Sequence, residues 1–311
     1  MCFRSRLATS LALTSILASG AVAQTERPTD QWVSNPVDDR TFETYLEFFT
    51  YESALPLERT VTSSEVVDGL LEERLTFQST PGMIVNARTF QSNVGESRGG
   101  IVLIHGGTPN GKDSGGMVNR GRLLARAGWT VVSIDMLYFG ERNTGLFPTF
   151  SAQEKADELY NLPSLYLDFT IQTVKDAGRA FDLLRQHYEI DPDKIALVGY
   201  SRGAQMSMIV GGADQRFAAV ALIHGGHFDA LENGHRPAAC GANYIGRINP
   251  RPVLMINGEA DTDYLPEIAV LPLQKLLGDE STVRWTEASH GIVTAEDEAV
   301  LVDWLRSAVP Q

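Results

Sequence analysis

Short apolar runs alternate along most of the chain with longer stretches of helical character. The runs are Ile101-Val102-Leu103-Ile104, Val131-Val132-Ser133-Ile134, Ile195-Ala196-Leu197-Val198, residues 218–223 and Val253-Leu254-Met255-Ile256. Each is rich in β-branched residues and apolar on both faces, the signature of a strand covered by helices on both sides of a parallel sheet. Residues 121–127, 171–187, 202–210, 268–277 and 295–307 carry the helical pattern between and after them, and residues 283–286 read as the last strand. The repeated βα order predicts an α/β fold with a mostly parallel central sheet and helices on both faces. Ahead of it, residues 75–78 and 83–90 read as a strand hairpin, with turn residues Thr80-Pro81-Gly82 between them. Phe42, Tyr45, Phe48, Phe49 and Tyr51 suit a short helix over residues 41–51 packed on the body.

The first residues follow another pattern. Arg4 and Arg6 give a positive start, residues 7–17 are apolar with small residues, and Ala21-Val22-Ala23 offers a cleavage site before Gln24. This is the form of a secretory signal peptide over residues 1–23, too short to span a bilayer. The expected organisation is therefore 1–23 signal peptide, 24–68 N-terminal extension and 69–311 catalytic domain, in a secreted or periplasmic protein without a membrane anchor. Cleavage would remove Cys2 and leave Cys240 as the one cysteine, so no disulfide scaffold is expected. The formal net charge is −13. With no basic run, that balance argues against nucleic acid or anionic lipid as a partner.

In an open α/β sheet, ligands sit beyond the carboxyl ends of the strands. There the sequence places Gly199-Tyr200-Ser201-Arg202-Gly203, directly after the run at 195–198 and opening a helix. This is G-x-S-x-G in the strand–turn–helix context it requires. The turn is strained and neighbouring chains pass close, so small residues are needed around a serine lifted clear of the sheet. The helix that follows points its first amides at any oxyanion formed there.

With these residues the chain resembles the α/β-hydrolase superfamily from about residue 75 onward, in particular its dienelactone-hydrolase, acetyl-esterase and prolyl-oligopeptidase branches. The resemblance implies an α/β-hydrolase fold and a Ser-Asp-His order of catalytic residues. Ser201 would be the nucleophile, although dienelactone hydrolases typically carry cysteine there. His105-Gly106-Gly107 looks like the family's oxyanion loop, implying the amides of Gly107 and Arg202 as donors, with Gly106 the alternative to Gly107. Bacterial glucuronoyl esterases also place an arginine directly after the serine, so the Arg202 side chain could reach the same space. Gly258-Glu259-Ala260-Asp261 matches the family's G-x-x-D, selecting Asp261 as the acid; Pro266 stands one residue late and leaves Asp263 open. His290, between the last strand and the terminal helix, would be the base. No cofactor or metal is implied.

The reading to test is an exported serine hydrolase that cleaves carboxylic esters of small molecules. A peptidase of the prolyl-oligopeptidase type and a non-catalytic relative of the fold are the alternatives. Oligomeric state is not legible. Two patterns compete for attention. Gly106 to Lys112 nearly spells a phosphate loop, but Asp113 stands where Ser or Thr must hold magnesium. His224, His227, His235 and Cys240 gather between two late strands without a zinc spacing, and residues 224–249 read as a short insertion that roofs the pocket.

Overall fold

The computed structural model describes residues 31–95 and 97–309; the expected signal peptide at 1–23 lies outside the described residues. The described residues open with α1 (Gln31–Ser34) and α2 (Asp39–Leu46). The Asp38 side chain caps α2 by accepting from the Thr41 amide. Phe42 and Phe49 meet the Tyr244 ring edge-on at 5.3 and 5.9 Å, which docks the lead-in aromatics on the body as their spacing suggested.

Three antiparallel strands follow, β1 (Thr60–Val67), β2 (Leu70–Thr80) and β3 (Met83–Ser92). Then come β4 (Gly100–Ile104), α3 (Gly115–Arg126), β5 (Thr130–Ile134), α4 (Ala152–Lys155) and α5 (Pro163–His187). The described residues end with β6 (Ile195–Tyr200), α6 (Arg202–Ala213), β7 (Ala219–Ile223), β8 (Val253–Ala260), α7 (Leu271–Gln274), β9 (Ser281–Ser289) and α8 (Ala295–Ala308). The nine strands among the described residues form one sheet in the order β1-β2-β3-β5-β4-β6-β7-β8-β9, parallel from β5 to β9. This is the α/β-hydrolase arrangement.

Every residue of β4, β5, β6 and β7 is buried, because successive side chains enter opposite hydrophobic layers. Val102 and Ile104 of β4 join the layer under α5 and α6, with Phe169, Met206 and Ile209. Ile101 and Leu103 join the layer under α3 and α8, with Met117, Leu124 and Leu305. The two layers fix the sheet from both sides and hold its carboxyl edge, where the loops converge.

Three parts depart from the sequence reading. Strand β1 is almost wholly exposed and is held by pairing with β2, so the expected hairpin is the inner part of a three-stranded meander. The expected boundary at residue 68 falls in the turn between those strands. Residues 152–160, for which the sequence pattern predicts no element, form α4 and the wider turn that follows it at Ala156–Tyr160. The 224–249 segment is mostly core: Ala239, Cys240, Ala242, Tyr244 and Ile248 are all buried in the α5–α6 layer. Among the described residues, no helix is long and apolar enough to cross a membrane.

Candidate active site

Strand β6 runs to Tyr200, Ser201 turns with φ 53°, and α6 starts at Arg202. A serine in the left-handed region is strained. The turn holds because its flanks are small: a Cβ on Gly199 would lie 2.3 Å from the Gly203 carbonyl, and one on Gly203 the same distance from that of Ile104. The Ser201 amide donates to the Ile223 carbonyl at 2.8 Å, tying the turn to β7.

Ser201 Oγ lies 2.8 Å from His290 Nε2, and His290 Nδ1 lies 2.9 Å from Asp261 Oδ2. Asp261 is buried, and its Oδ1 accepts the amides of Asp263 and Tyr264, both at 2.9 Å. Its orientation is thereby fixed and Oδ2 is left for the imidazole. A carboxylate at Nδ1 requires the ring proton there, so Nε2 presents its lone pair to the serine. Asp263, the other candidate acid, does not reach Nδ1. Its half-exposed carboxylate stands on the opposite side of the ring, 3.6 Å from Nε2.

Burial pulls the His290 pKa down, but the hydrogen bond it donates to Asp261 and the charges of Asp261, Asp263 and Asp229 outweigh it and raise the pKa above its ordinary 6.5. A base of this kind works when deprotonated. The rate of any reaction that uses it therefore rises with pH through a limb lying above pH 6.5. A kcat/KM profile measured from acid to mildly alkaline pH checks this.

These groups open into a cavity of ≈ 280 Å³ bordered by Gly106, Gly107, Lys155, Tyr160, Arg202 and Asp229. In the loop after β4, a Cβ on Gly106 would lie 3.2 Å from Ser201 Cβ, and one on Gly107 would lie 4.0 Å from Arg202 Cβ. Arg202, as the first residue of α6, has an amide with no acceptor inside its own helix. Its side chain is engaged elsewhere. The guanidinium is buried, lies 3.7 Å over the Tyr160 ring, and donates to Asp229 at 2.7 Å, to Glu232 and to Gln205. Replacing it by alanine strands a buried carboxylate, Glu232, and a second one beside it. The expected result for Arg202→Ala is a stability loss of about 3–5 kcal/mol, read by denaturant unfolding, rather than a purely kinetic defect.

The model of the dienelactone hydrolase family matches residues 101–294, which is more than half of the chain and includes Gly107, Ser201, Arg202, Asp261 and His290. The chain belongs to the dienelactone hydrolase family. It is a serine-bearing member, and the expectation of a hydrolase of this superfamily stands. No curated protein sequence matches it. Among solved structures it is similar to a cold-adapted esterase from an Arctic intertidal metagenomic library, with 20% identity, 80% of this chain and 98% of that chain covered, and a TM-score of 0.62. Acetyl xylan esterase 1 from Thermoanaerobacterium sp. gives 15%, 90%, 99% and 0.65. Glucuronoyl esterase from Solibacter usitatus gives 12%, 88%, 94% and 0.57. At such identities the likeness carries the fold and no more.

Around this dienelactone hydrolase centre the other sequence patterns find their places. His105 is fully buried; its Nε2 accepts the Met136 amide at 3.0 Å, so the proton sits on Nδ1 and is donated to the Gly106 carbonyl at 2.6 Å. It braces the Gly106-Gly107 loop. Lys112 points away from the cavity into a buried ionic knot, 2.9 Å from Asp135 and 3.0 Å from Asp113 and also bonded to Glu141. That accounts for the near-phosphate-loop spelling. The four residues His224, His227, His235 and Cys240 do not converge. His235 stacks on Tyr166 at 3.8 Å, Cys240 is in the core, and His224 faces the cavity.

Residues 152–160 border the cavity through Ala152, Lys155 and Tyr160, and the 224–249 segment borders it through His224 and Asp229. Lys155 Nζ donates to the Gly107 carbonyl, and burial together with nearby Arg202 pushes its pKa down. A signal for this element was present. Ser151 and Glu154 have the S-x-x-E capping spacing, and Ser151 Oγ does accept the Glu154 amide, at 3.1 Å.

Proposed function

We propose that the chain is an exported serine esterase acting on small carboxylic esters. The observation that carries the reading is the continuous relay from Ser201 Oγ through His290 to buried Asp261, 2.8 and 2.9 Å long, at the floor of a cavity. Ser201 attacks the ester carbonyl while His290 Nε2 takes its proton. Asp261 holds the Nδ1 proton and stabilises the imidazolium that forms. The amides of Gly107 and Arg202 receive the developing oxyanion. His290 then protonates the leaving alcohol, and water repeats the sequence on the acyl-enzyme. No step calls for a cofactor or a metal.

Ester over amide follows from the site's size. An amide nitrogen is a far worse leaving group, so peptidases use extended binding to position it for protonation. This cavity is small and capped by Lys155 and Tyr160, which favours short acyl groups and supports the ester reading over the peptidase one. The names of the similar structures, an acetyl xylan esterase among them, lie in the same direction. A short-chain aryl ester and the matching anilide, assayed side by side, test it. The ester is expected to turn over and the anilide not; comparable kcat/KM on both would mean a peptidase.

Export rests on residues 1–23, a charged start, an apolar stretch and Ala21-Val22-Ala23. The secreted or periplasmic product should have an intact mass beginning at Gln24. A product from an exporting host that retains residues 1–23 would contradict it.

A further inference from the structure

His224 is buried beside the relay, and among the described residues neither of its ring nitrogens has a hydrogen-bond partner. Leaving such groups desolvated and unused is costly, and the fold nonetheless holds this residue firmly. It directly follows β7 at φ 51°, and its amide donates to the Ile256 carbonyl at 2.7 Å. Its Nδ1 faces Asp261 Oδ2 at 4.0 Å, the same oxygen that His290 Nδ1 approaches at 2.9 Å. One ligand atom from each of His224, Asp261 and His290 lies within 4.8 Å of the others.

We propose that His224, Asp261 and His290 form a site for a zinc-type divalent cation, and that filling it switches the enzyme off. Two imidazoles and a carboxylate are the donor set such a cation selects. Ligand lengths of about 2.0–2.2 Å put neighbouring donor atoms roughly 3.3 Å apart around a tetrahedral centre. The 2.9 Å pair must open slightly, the 4.0 Å pair must close slightly, and the donor atoms of the two imidazoles, which lie within 4.8 Å, must come to the same spacing. The ion enters through the substrate cavity, which His224 and His290 both border, and the half-exposed Asp263 carboxylate stands at that entrance beside His290.

The consequence for turnover rests on the role proposed above for His290. A cation on Nδ1 takes the lone pair that a proton otherwise holds, and the neutral ring then carries its proton on Nε2. Nε2–H donates to Ser201 instead of accepting from it, so the serine loses its base. No bond to substrate is involved and no redox change occurs. His224 serves the inhibited state as a ligand and has no part in the ester reaction.

Equilibrium dialysis of the chelator-treated chain against zinc chloride tests the site, with p-nitrophenyl acetate hydrolysis followed in parallel. The expected result is one zinc per chain and inhibition reversed by EDTA. In His224→Phe, both the dissociation constant and the zinc concentration that halves that variant's own metal-free rate should rise at least about tenfold, a loss already typical of removing a group one step beyond the metal's ligands. His224→Gln serves if the phenylalanine variant does not fold. No stoichiometric binding, or equal binding in wild type and variant, overturns the site. Binding that depends on His224 but leaves the rate untouched overturns the inhibitory mechanism. If the metal-free chain hydrolyses no ester, the esterase reading fails, and dialysis alone still decides the site.

Discussion

Ser201→Ala is expected to lower kcat on a short-chain aryl ester by at least about 10⁴-fold and to leave the thermal unfolding midpoint unchanged. The rate falls because the acyl-enzyme has no atom to form on, and water must attack unassisted by a positioned nucleophile. The fold persists because alanine keeps the Cβ that serine already carries at φ 53°, so the strain of the turn neither grows nor relaxes. The Ser201 amide bond to Ile223 is also retained. Steady-state kinetics and a melting curve on the same preparation check both halves. Wild-type turnover in the variant would remove Ser201 from the chemistry.

The second large effect separates the two acids. In Asp261→Asn the side-chain carbonyl remains the acceptor for the Asp263 and Tyr264 amides, so the new NH₂ turns toward His290 Nδ1. A donor at that position forces the ring proton to Nε2, and the base is lost; a drop of about 10⁴ in kcat is expected. Asp263→Asn acts differently. It removes one of the charges that raise the His290 pKa, at a half-exposed site 3.6 Å from Nε2. Exposed ion pairs contribute up to about 1 kcal/mol, so the change in rate stays under roughly tenfold and the pH limb moves to lower pH. Kinetics of the two variants across pH distinguish them. A larger loss in Asp263→Asn would place the working acid on the other side of the ring.

The centre of this molecule was legible because its strands are apolar on both faces. Val102 and Leu103, one residue apart, serve opposite layers, and that double burial writes a continuous hydrophobic run into the sequence. The strand–turn–helix frame around Gly199 and Gly203 was legible for a related reason, since close approach leaves only small residues there. The rim was not. Strand β1 buries almost nothing and exists through its ladder with β2, which no pattern within Thr60–Val67 records. The clamp of Arg202 by Asp229 and Glu232 joins residues about thirty positions apart; the charges are visible in the sequence but their meeting is not. The choice between Asp261 and Asp263 was similarly open, because two residues of loop separate facing Nδ1 from facing Nε2. His224 read as part of a loop cluster, and only the path of β7 and β8 brings it to Asp261.

The central claim, that Ser201 is the nucleophile of an ester hydrolase, is tested most directly by covalent labelling. The wild-type chain is treated with an alkyl fluorophosphonate until ester turnover stops, digested, and mapped by mass. The expected result is a single phosphonyl adduct on the peptide holding Ser201, absent when Ser201→Ala is treated in the same way. Loss of turnover with the adduct on another residue, or full labelling of the alanine variant, would contradict it.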